Sequence, residues 1–140
     1  MILNGEISVV VCVKNEESRI EECLKTIILN HPSEIIVVDG DSSDRTSEIA
    51  LKYTDQVIVS KKSNLTRDRQ IGIDSAKNDL IAMIDADHRL DQDSLQGLLL
   101  DLNSHNYDIV QSQLESYKNN NYWNSAEEDA WHLTHNIPGE

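Results

Sequence analysis

Apolar positions in this chain fall into short continuous runs and into longer runs with helical spacing. The first continuous run, ISVVVCV at residues 7–13, is rich in β-branched side chains, which is typical of a strand covered on both faces. EIIVV at residues 34–38, QVIVS at 56–60 and LIAMI at 80–84 have the same character. The pattern therefore predicts four buried strands.

Amphipathic stretches separate these runs. Residues 20–28 place apolar side chains at i, i+3, i+4, i+7 and i+8, and acidic residues occupy the first turn, as in a helix that packs one face against a core. Turn residues lead into a predicted helix over residues 46–53, and residues 65–77 predict a weaker one. Asp91 is the expected N-cap of a helix that continues through Leu102.

Three further elements are predicted at the end of the chain. Residues 107–116 alternate in polarity and predict a less buried strand, residues 119–121 predict a loop, and residues 125–134 predict a last helix. Alternation of buried strands with helices is typical of βαβ units. The predicted fold class is therefore α/β with three α/β/α layers around a mostly parallel sheet, and residues 1–140 are expected to form a single domain.

Charge and hydropathy restrict the partners. The chain has 25 acidic and 12 basic residues, a net charge of -13, so neither nucleic acid nor an anionic membrane surface is an expected partner. A negatively charged ligand would need a divalent cation between it and this surface.

No apolar run reaches the ~18 residues of a membrane span, and no signal-peptide pattern is present. Cys12 and Cys23 have no metal-ligand spacing and are expected to be reduced core thiols, so the expected location is cytoplasmic.

Polar residues follow three of the predicted strands at the point where each strand ends. The carboxyl ends of parallel strands form one edge of the sheet, and ligands bind there where the strand order reverses. Each set alone is also explained by ordinary turn and cap residues, but three sets at one edge favour a ligand site. The sets are Lys14-Asn15-Glu16, Asp39-Gly40-Asp41 and Asp85-Ala86-Asp87-His88.

The spacing of Asp85 and Asp87 predicts a metal site. Residues i and i+2 of an extended segment point the same way, so the two carboxylates can share a hard cation. Mn²⁺ or Mg²⁺ held by carboxylates and completed by substrate phosphates is the usual arrangement for nucleoside diphosphates. The adjacent His88 has two interpretations, a hydrogen bond to a phosphate or an acid, and a solvated loop residue.

Three segments together resemble a known family. VVVCVKNEESRIEECLKTI, EIIVVDGDSSDRT and RDRQIGIDSAKNDLIAMIDAD, in this order, resemble the nucleotide-binding half of GT-A glycosyltransferases of the family 2 type, over residues 7 to 102. The resemblance implies a Rossmann-like GT-A domain. It also implies transfer of a hexosyl or N-acetylhexosaminyl group from a UDP-sugar to an acceptor that is a glycan, a lipid or a protein.

The same resemblance implies roles for individual residues. The segment 12–16 would border the nucleotide base, and Asp39 would accept a hydrogen bond from the uracil ring or the ribose. Arg69 would contact the base or a phosphate, Asp85 the ribose and the metal, and Asp87 would be the principal metal ligand. The implied nucleotide-binding residues are Cys12, Val13, Lys14, Asn15, Glu16, Asp39, Arg69, Asp85 and Ala86, and the implied metal ligands are Asp85 and Asp87.

This sequence also departs from the family pattern. Gln70 stands where members usually have Asn, Asn78 where they have a small residue, and Gly40-Asp41 inverts a common order. Members are longer, and the part that would hold the acceptor site and the general base is expected to be short or absent here.

The candidates for the general base are Glu127, Glu128 and Asp129, with stabilisation of a helix N-terminus as the alternative role. His132 and His135 are candidate metal ligands, with a surface or packing role as the alternative.

The function predicted from the sequence is a metal-dependent glycosyltransferase, with slow hydrolysis of the donor where no acceptor site is formed. The alternative is a nucleotide-sugar-binding module or a truncated fragment without turnover.

A phosphatase that uses Asp85 and Asp87 is disfavoured. In haloacid-dehalogenase-like enzymes the two aspartates follow the first strand, whereas here they follow the fourth. Apolar surface and an open sheet edge are expected to produce a homo-oligomer.

Overall fold

The structure is a computed structural model that describes residues 6–62 and 64–114. It contains the four predicted strands and four of the predicted helices. They are β1 (Ile7–Val13), α1 (Ile20–Ile28), β2 (Glu34–Asp39), α2 (Thr46–Ala50), β3 (Val57–Val59), α3 (Leu65–Ser75), β4 (Leu80–Asp85) and α4 (Ser94–His105). The chain divides into two compact units, of which the first ends at Val110 and contains all of these elements. The single domain expected over residues 1–140 stays a prediction.

The strands form one parallel sheet in the order β3-β2-β1-β4. β1 lies between β2 and β4, and six of its seven residues are buried. This is why its apolar run is continuous: a central strand with helices on both faces has no side that points to water. The predicted α/β fold class is confirmed.

Helices cover both faces of the sheet. On one face, Val9 and Val11 of β1 join the buried side chains of α1 and Leu95 and Leu99 of α4 in the larger core. On the other face, Val10 packs in a smaller core with Ile71 of α3. Gly72 brings α3 close to the sheet, because a Cβ at this position would overlap Val10 Cγ1. The molecule therefore has the three predicted layers.

Several helix boundaries differ from the prediction: α3 ends at Ser75 rather than residue 77, and α4 continues past Leu102 to His105. α2 ends at Ala50 rather than near residue 53, because the N–H groups of Lys52 and Tyr53 form tight i→i−3 bonds to Ile49 and Ala50. The predicted N-cap of α4, Asp91, is wrong.

Helix α4 begins at Ser94, after the N-cap residue Asp93, whose side chain makes no cap hydrogen bond. The side chain of Asn30 supplies the cap instead, since its Oδ1 accepts the Leu95 N–H at 3.1 Å. A cap that comes from a distant part of the chain leaves no local signal in the sequence.

The strand predicted over residues 107–116 is wrong for its described part. Residues 107–114 contain no strand, and Tyr107, Ile109 and Leu114 are exposed. Alternating polarity favours an extended chain, but a strand also needs a neighbour that accepts and donates its backbone hydrogen bonds. Residues 115 and 116 lie outside the described residues, as do the predicted loop at 119–121 and the helix at 125–134.

The helices of the described residues are short. The longest, α4, has 12 residues. Among the residues searched, none of the helices has both the length and the apolar character needed to cross a membrane.

Candidate functional site

Three strand ends that carry polar residues meet at one edge of the sheet, as the sequence predicts. Val13 of β1 lies opposite Asp39 of β2, and Cys12 of β1 lies opposite Asp85 of β4. The strand order runs outward from β1 through β2 to β3 on one side and to β4 on the other. The order therefore reverses between β1 and β4, which is where open α/β sheets bind ligands.

Asp39, at the end of β2, has its carboxylate turned into the protein. It is 1% exposed, and its Oδ1 accepts hydrogen bonds from the Ser42 N–H at 2.9 Å and the Ser42 hydroxyl at 2.6 Å. Its Oδ2 accepts from the Ser47 hydroxyl. Asp39 therefore fixes the loop between β2 and α2. A carboxylate offers about four acceptor positions, so three protein donors leave one for a ligand.

The loop after β1 is bound to the loop after β2 by backbone and side-chain hydrogen bonds. Asn15 has a left-handed backbone conformation, with φ of 52°. Its N–H donates to Ser42 Oγ at 2.8 Å, and its Oδ1 accepts from the Ser43 N–H at 2.9 Å. The Glu16 N–H donates to Thr46 Oγ1 at 2.9 Å. These bonds make a fixed rim beside the strand ends.

The side chains of Asp85, Asp87 and His88 form a cluster of three groups of the types that bind metals. Each offers one ligand atom, and these atoms lie within 4.8 Å of one another. The side chains of Asp85 and Asp87 are 53% and 54% exposed, and Asp87 Oδ1 is 3.8 Å from His88 Nε2. Two carboxylates and an imidazole suit a divalent cation such as Mn²⁺, and half-exposed ligands leave coordination positions for water or phosphate. The residues present therefore fit the metal implied by the resemblance.

Between the two aspartates, Ala86 is 4% exposed. The backbone then turns sharply, since the His88 N–H donates to the Asp85 carbonyl at 3.0 Å. The Arg89 guanidinium donates to the carbonyls of Ala86 at 3.3 Å and His88 at 2.8 Å. A small buried residue and a tight turn thus separate two carboxylates that both face water.

Helix α3 brings a cation to this edge. Arg69 Nη2 lies 3.6 Å from Asp85 Oδ1, and the Arg69 side chain is 44% exposed. The guanidinium partly offsets the negative charge of the cluster and has donors to spare for an anionic ligand. Arg69 thus lies beside the predicted metal ligands, and its implied contact with the base or a phosphate stays a prediction.

Cys12 lies among charged groups but is itself neutral. Burial, aided by the charges of Asp68 and Asp85 and opposed by the charge of Arg69, raises the pKa of its thiol to about 11. Burial likewise raises the pKa of Cys23 to about 12. Both thiols are free, in agreement with the prediction of reduced core cysteines, and neither has the thiolate character of a nucleophile.

The remaining predicted residues differ in exposure or lie outside the described part. In the segment 12–16, at the end of β1 and just after it, Val13 is buried, Cys12 and Glu16 are half-buried, and Lys14 and Asn15 are exposed. The five weaker candidates, for the base and for additional metal ligands, lie outside the described residues. They are Glu127, Glu128, Asp129, His132 and His135.

Sequence reasoning missed two features of this edge. His88 was predicted to contact a phosphate, an acid or solvent, whereas the structure places it in the ligand cluster with Asp85 and Asp87. Its position next to Asp87 was the available signal. The sequence predicts turn and cap residues around Ser42 and a helix that includes Ser47, but it does not reveal the loop conformation on which their bonds to Asp39 depend.

A cavity of about 550 Å³ lies at the opposite edge of the sheet, where Glu34 begins β2. Burial alone would raise the pKa of Glu34, but hydrogen bonds from Ser8, the Lys77 N–H and Gln56 lower it below its ordinary value. The Ser8 hydroxyl and the Lys77 N–H both donate at 2.6 Å, and Gln56 Nε2 donates at 3.0 Å. The buried charge at this cavity is therefore satisfied by the protein itself, and the strand-end edge is the better candidate site.

Comparisons with known proteins agree with this fold. Residues 8–138 match the sequence profile of Glycosyl transferase family 2. An uncharacterized glycosyltransferase of Rickettsia bellii is 32% identical over 116 residues, which is 81% of this chain and 39% of the relative. This chain thus spans about two-fifths of the length of that relative.

Solved structures with the same fold include two determined with UDP. S. aureus TarS in complex with UDP has a TM-score of 0.62 at 21% identity, over 81% of this chain and 40% of that one. Glucosyl-3-phosphoglycerate synthase from Mycobacterium tuberculosis in complex with UDP has a TM-score of 0.57 at 23% identity, over 67% of this chain and 38% of that one. With the strand order, the ligand cluster at the switch point and the profile match over residues 8–138, these comparisons show that the chain belongs to Glycosyl transferase family 2.

Proposed function

We propose that this chain is the donor-binding part of a glycosyltransferase that takes a UDP-sugar through a divalent cation held by Asp85 and Asp87. The observation that carries the proposal is the cluster of Asp85, Asp87 and His88 beside Arg69 at the switch point of the sheet. UDP is the ligand of the TarS and glucosyl-3-phosphoglycerate synthase structures, which have the same fold.

The nucleoside would lie against the rim formed after β1 and β2. The segment 12–16 borders the base in this proposal, and the one acceptor position left on Asp39 receives the imide N–H of uracil. Because Asp39 is 1% exposed, the base reaches it only if the loop that contains Ser42 moves aside. The proposal therefore includes a local adjustment of that loop on binding.

The diphosphate would lie between Arg69 and the cluster. Arg69 donates charge-assisted hydrogen bonds to phosphate oxygens, and Asp85 and Asp87 hold Mn²⁺ or Mg²⁺ with His88 as a third ligand. A cation bound there supplies electrostatic stabilisation of the charge that develops on the leaving diphosphate. Asp85, on the strand itself, also contacts the ribose in this proposal.

The reaction is displacement at the anomeric carbon of the sugar. An acceptor oxygen forms the new C–O bond, the bond from the anomeric carbon to the diphosphate oxygen breaks, UDP leaves, and a base receives the acceptor proton. Glu127, Glu128 and Asp129 remain the base candidates. With water as the acceptor, the same displacement is hydrolysis of the donor to UDP and free sugar.

The cellular setting follows from the same observations. The net charge of -13 disfavours nucleic acid as a partner, so the acceptor is proposed to be a glycan, a lipid or a protein. The two free thiols support a cytoplasmic location, where cysteines stay reduced. Fractionation of the source cells tests the location.

Turnover and binding are separated by one experiment. The chain is incubated with UDP-glucose, UDP-galactose and UDP-N-acetylglucosamine, each with Mn²⁺ or with EDTA, and UDP release is measured by anion-exchange chromatography of quenched samples. Release of UDP that requires Mn²⁺ is the expected result. Metal-dependent binding without release would favour the alternative, a nucleotide-sugar-binding module, and the absence of both would contradict the proposal.

A further inference from the structure

Helix α1 does not contact the predicted metal with any side chain, yet it holds the loop that carries the ligands. We define this metal loop as residues 85–91, from the end of β4 to the residues before α4. Hydrogen bonds connect the metal loop, or the helix that follows it, to three residues of α1 and its C-terminal end. These three residues are spaced i, i+3 and i+7. These are Cys23, Thr26 and Asn30, here called the α1 clamp.

The contacts of the clamp are distributed over the whole loop. At its start, the Cys23 thiol donates to the Asp85 carbonyl at 3.5 Å. In its second half, the Leu90 N–H donates to Thr26 Oγ1 at 3.1 Å. At its end, Asn30 Nδ2 donates to the Asp91 carbonyl at 3.1 Å.

Asn30 also connects the loop to the next helix. Its Oδ1 accepts the Leu95 N–H in the first turn of α4, so one buried amide joins α1, the metal loop and α4. Thr26 has a similar double role, because its hydroxyl donates to the Cys23 carbonyl at 2.8 Å while it accepts from Leu90. Each clamp hydroxyl or amide is thus oriented by a second bond.

We infer that the α1 clamp positions Asp87 and His88 for the cation, so that Thr26 and Asn30 are positioning residues for donor binding. This inference rests on the proposed function. Its physical basis is that ligands on a loop bind a metal tightly only when the loop is already in the geometry of the bound state. No clamp side chain belongs to the ligand cluster, so the effect passes through the backbone of the metal loop.

Thr26→Val provides the sharpest test, because valine keeps the shape of threonine and removes the hydroxyl that Leu90 requires. Thr26→Ser keeps that hydroxyl. Thr26→Ala is a second variant, since alanine is the best helix former and adds no new contact. Tyr53→Phe is the matched control: it removes a different hydrogen bond of α1, from the Tyr53 hydroxyl to Glu21 at 2.6 Å, which does not involve the metal loop.

The measurements are Mn²⁺ affinity in the presence of UDP, by electron paramagnetic resonance of free Mn²⁺, and uridine affinity without metal, by calorimetry. Thr26→Val and Thr26→Ala are expected to weaken Mn²⁺ binding by about tenfold, the lower end of the effect of outer-shell substitutions, with uridine binding unchanged. Thr26→Ser and Tyr53→Phe should bind Mn²⁺ like the parent chain.

Unchanged Mn²⁺ affinity in both Thr26→Val and Thr26→Ala would overturn the inference and leave the proposed function intact. Equal losses of Mn²⁺ and uridine affinity would also overturn it, because they indicate general loosening of the fold. If the parent chain binds neither Mn²⁺ nor UDP, the proposed function fails and the inference fails with it.

Discussion

Aspartates at the same edge of the sheet differ in exposure and in hydrogen-bond partners. Asp39 is 1% exposed and accepts from two serines. Asp85 and Asp87 are about half exposed, with Arg69 Nη2 3.6 Å from Asp85 Oδ1 and His88 Nε2 3.8 Å from Asp87 Oδ1. Two close carboxylates with such long contacts repel each other, and a bound cation would relieve that repulsion.

Arg69 is expected to bind the diphosphate rather than the nucleoside. Arg69→Ala should therefore weaken UDP binding by about tenfold, as expected for the loss of a charge-assisted hydrogen bond, and leave uridine binding unchanged. Calorimetry with both ligands measures this. Arg67→Ala removes the same charge two residues away on α3 and is the control. Equal losses for UDP and uridine in Arg69→Ala would contradict the assigned role.

Glu34 predicts a pH-dependent contribution to stability at the opposite edge of the sheet. Hydrogen bonds lower its folded-state pKa, so the stabilisation is complete at neutral pH, declines below the ordinary glutamate pKa of about 4.3, and is lost below the folded-state pKa. Glu34→Gln places an amide among donors and should reduce the free energy of unfolding by about 1–3 kcal/mol at pH 7. The deficit should shrink at about pH 3, where Glu34 itself is protonated.

Urea denaturation at the two pH values checks this expectation. Glu22→Gln makes the same chemical change on the surface of α1, where Glu22 forms an exposed pair with Lys25, and should have little effect at either pH. A deficit in Glu34→Gln that is the same at both pH values would show that the carboxylate charge is not what stabilises this edge.

At the scale of elements, the sequence predicts what periodicity and burial determine. β1 and α1 follow from their apolar patterns, and the Asp85-Ala86-Asp87 spacing predicts the metal ligands because it depends only on neighbouring residues. The start of α4 and the chain over residues 107–114 could not be predicted, because each depends on a distant partner. Asn30 caps a helix 65 positions later along the chain, and residues 107–114 have no strand that pairs with them among the described residues.

The packing of α3 on the sheet gives a test at this scale. Gly72→Ala forces a methyl group against Val10, a fully buried β-branched side chain, and should cost about 1–3 kcal/mol of unfolding free energy. Gly97→Ala is the matched control on α4, because its added Cβ meets no atom within 4 Å apart from its chain neighbours and the backbone of its own helix. It should be neutral or stabilise by up to about 1 kcal/mol, because alanine favours the helix. Thermal and urea unfolding of both variants measure these changes in stability. A stabilised Gly72→Ala would contradict the close approach of α3 to the sheet.

At the scale of the whole molecule, self-association stays a prediction that the structure supports. Within residues 6–62 and 64–114, β4 pairs with β1 on one side only, and Met83 of β4 is 42% exposed. An open edge beside exposed apolar side chains invites pairing with another copy. Sedimentation equilibrium should give a mass above that of the monomer, and Met83→Lys should lower it. A monomer mass at every concentration would contradict the prediction.

The net charge of -13 determines how an anionic nucleotide meets this protein. A chain this acidic repels a nucleoside diphosphate, so we expect tight binding of UDP to require a cation at the strand-end cluster. Asp87 is the predicted principal ligand. Asp79→Asn makes the same charge change just before β4, at the opposite end of the strand from Asp85, and serves as the control.

The most direct measurement is calorimetric titration of UDP into the parent chain, Asp87→Asn and Asp79→Asn, each with Mn²⁺ and with EDTA. Mn²⁺ is predicted to tighten UDP binding by at least about tenfold in the parent chain and in Asp79→Asn, and to have little effect in Asp87→Asn. An equal gain from Mn²⁺ in all three proteins would contradict the account.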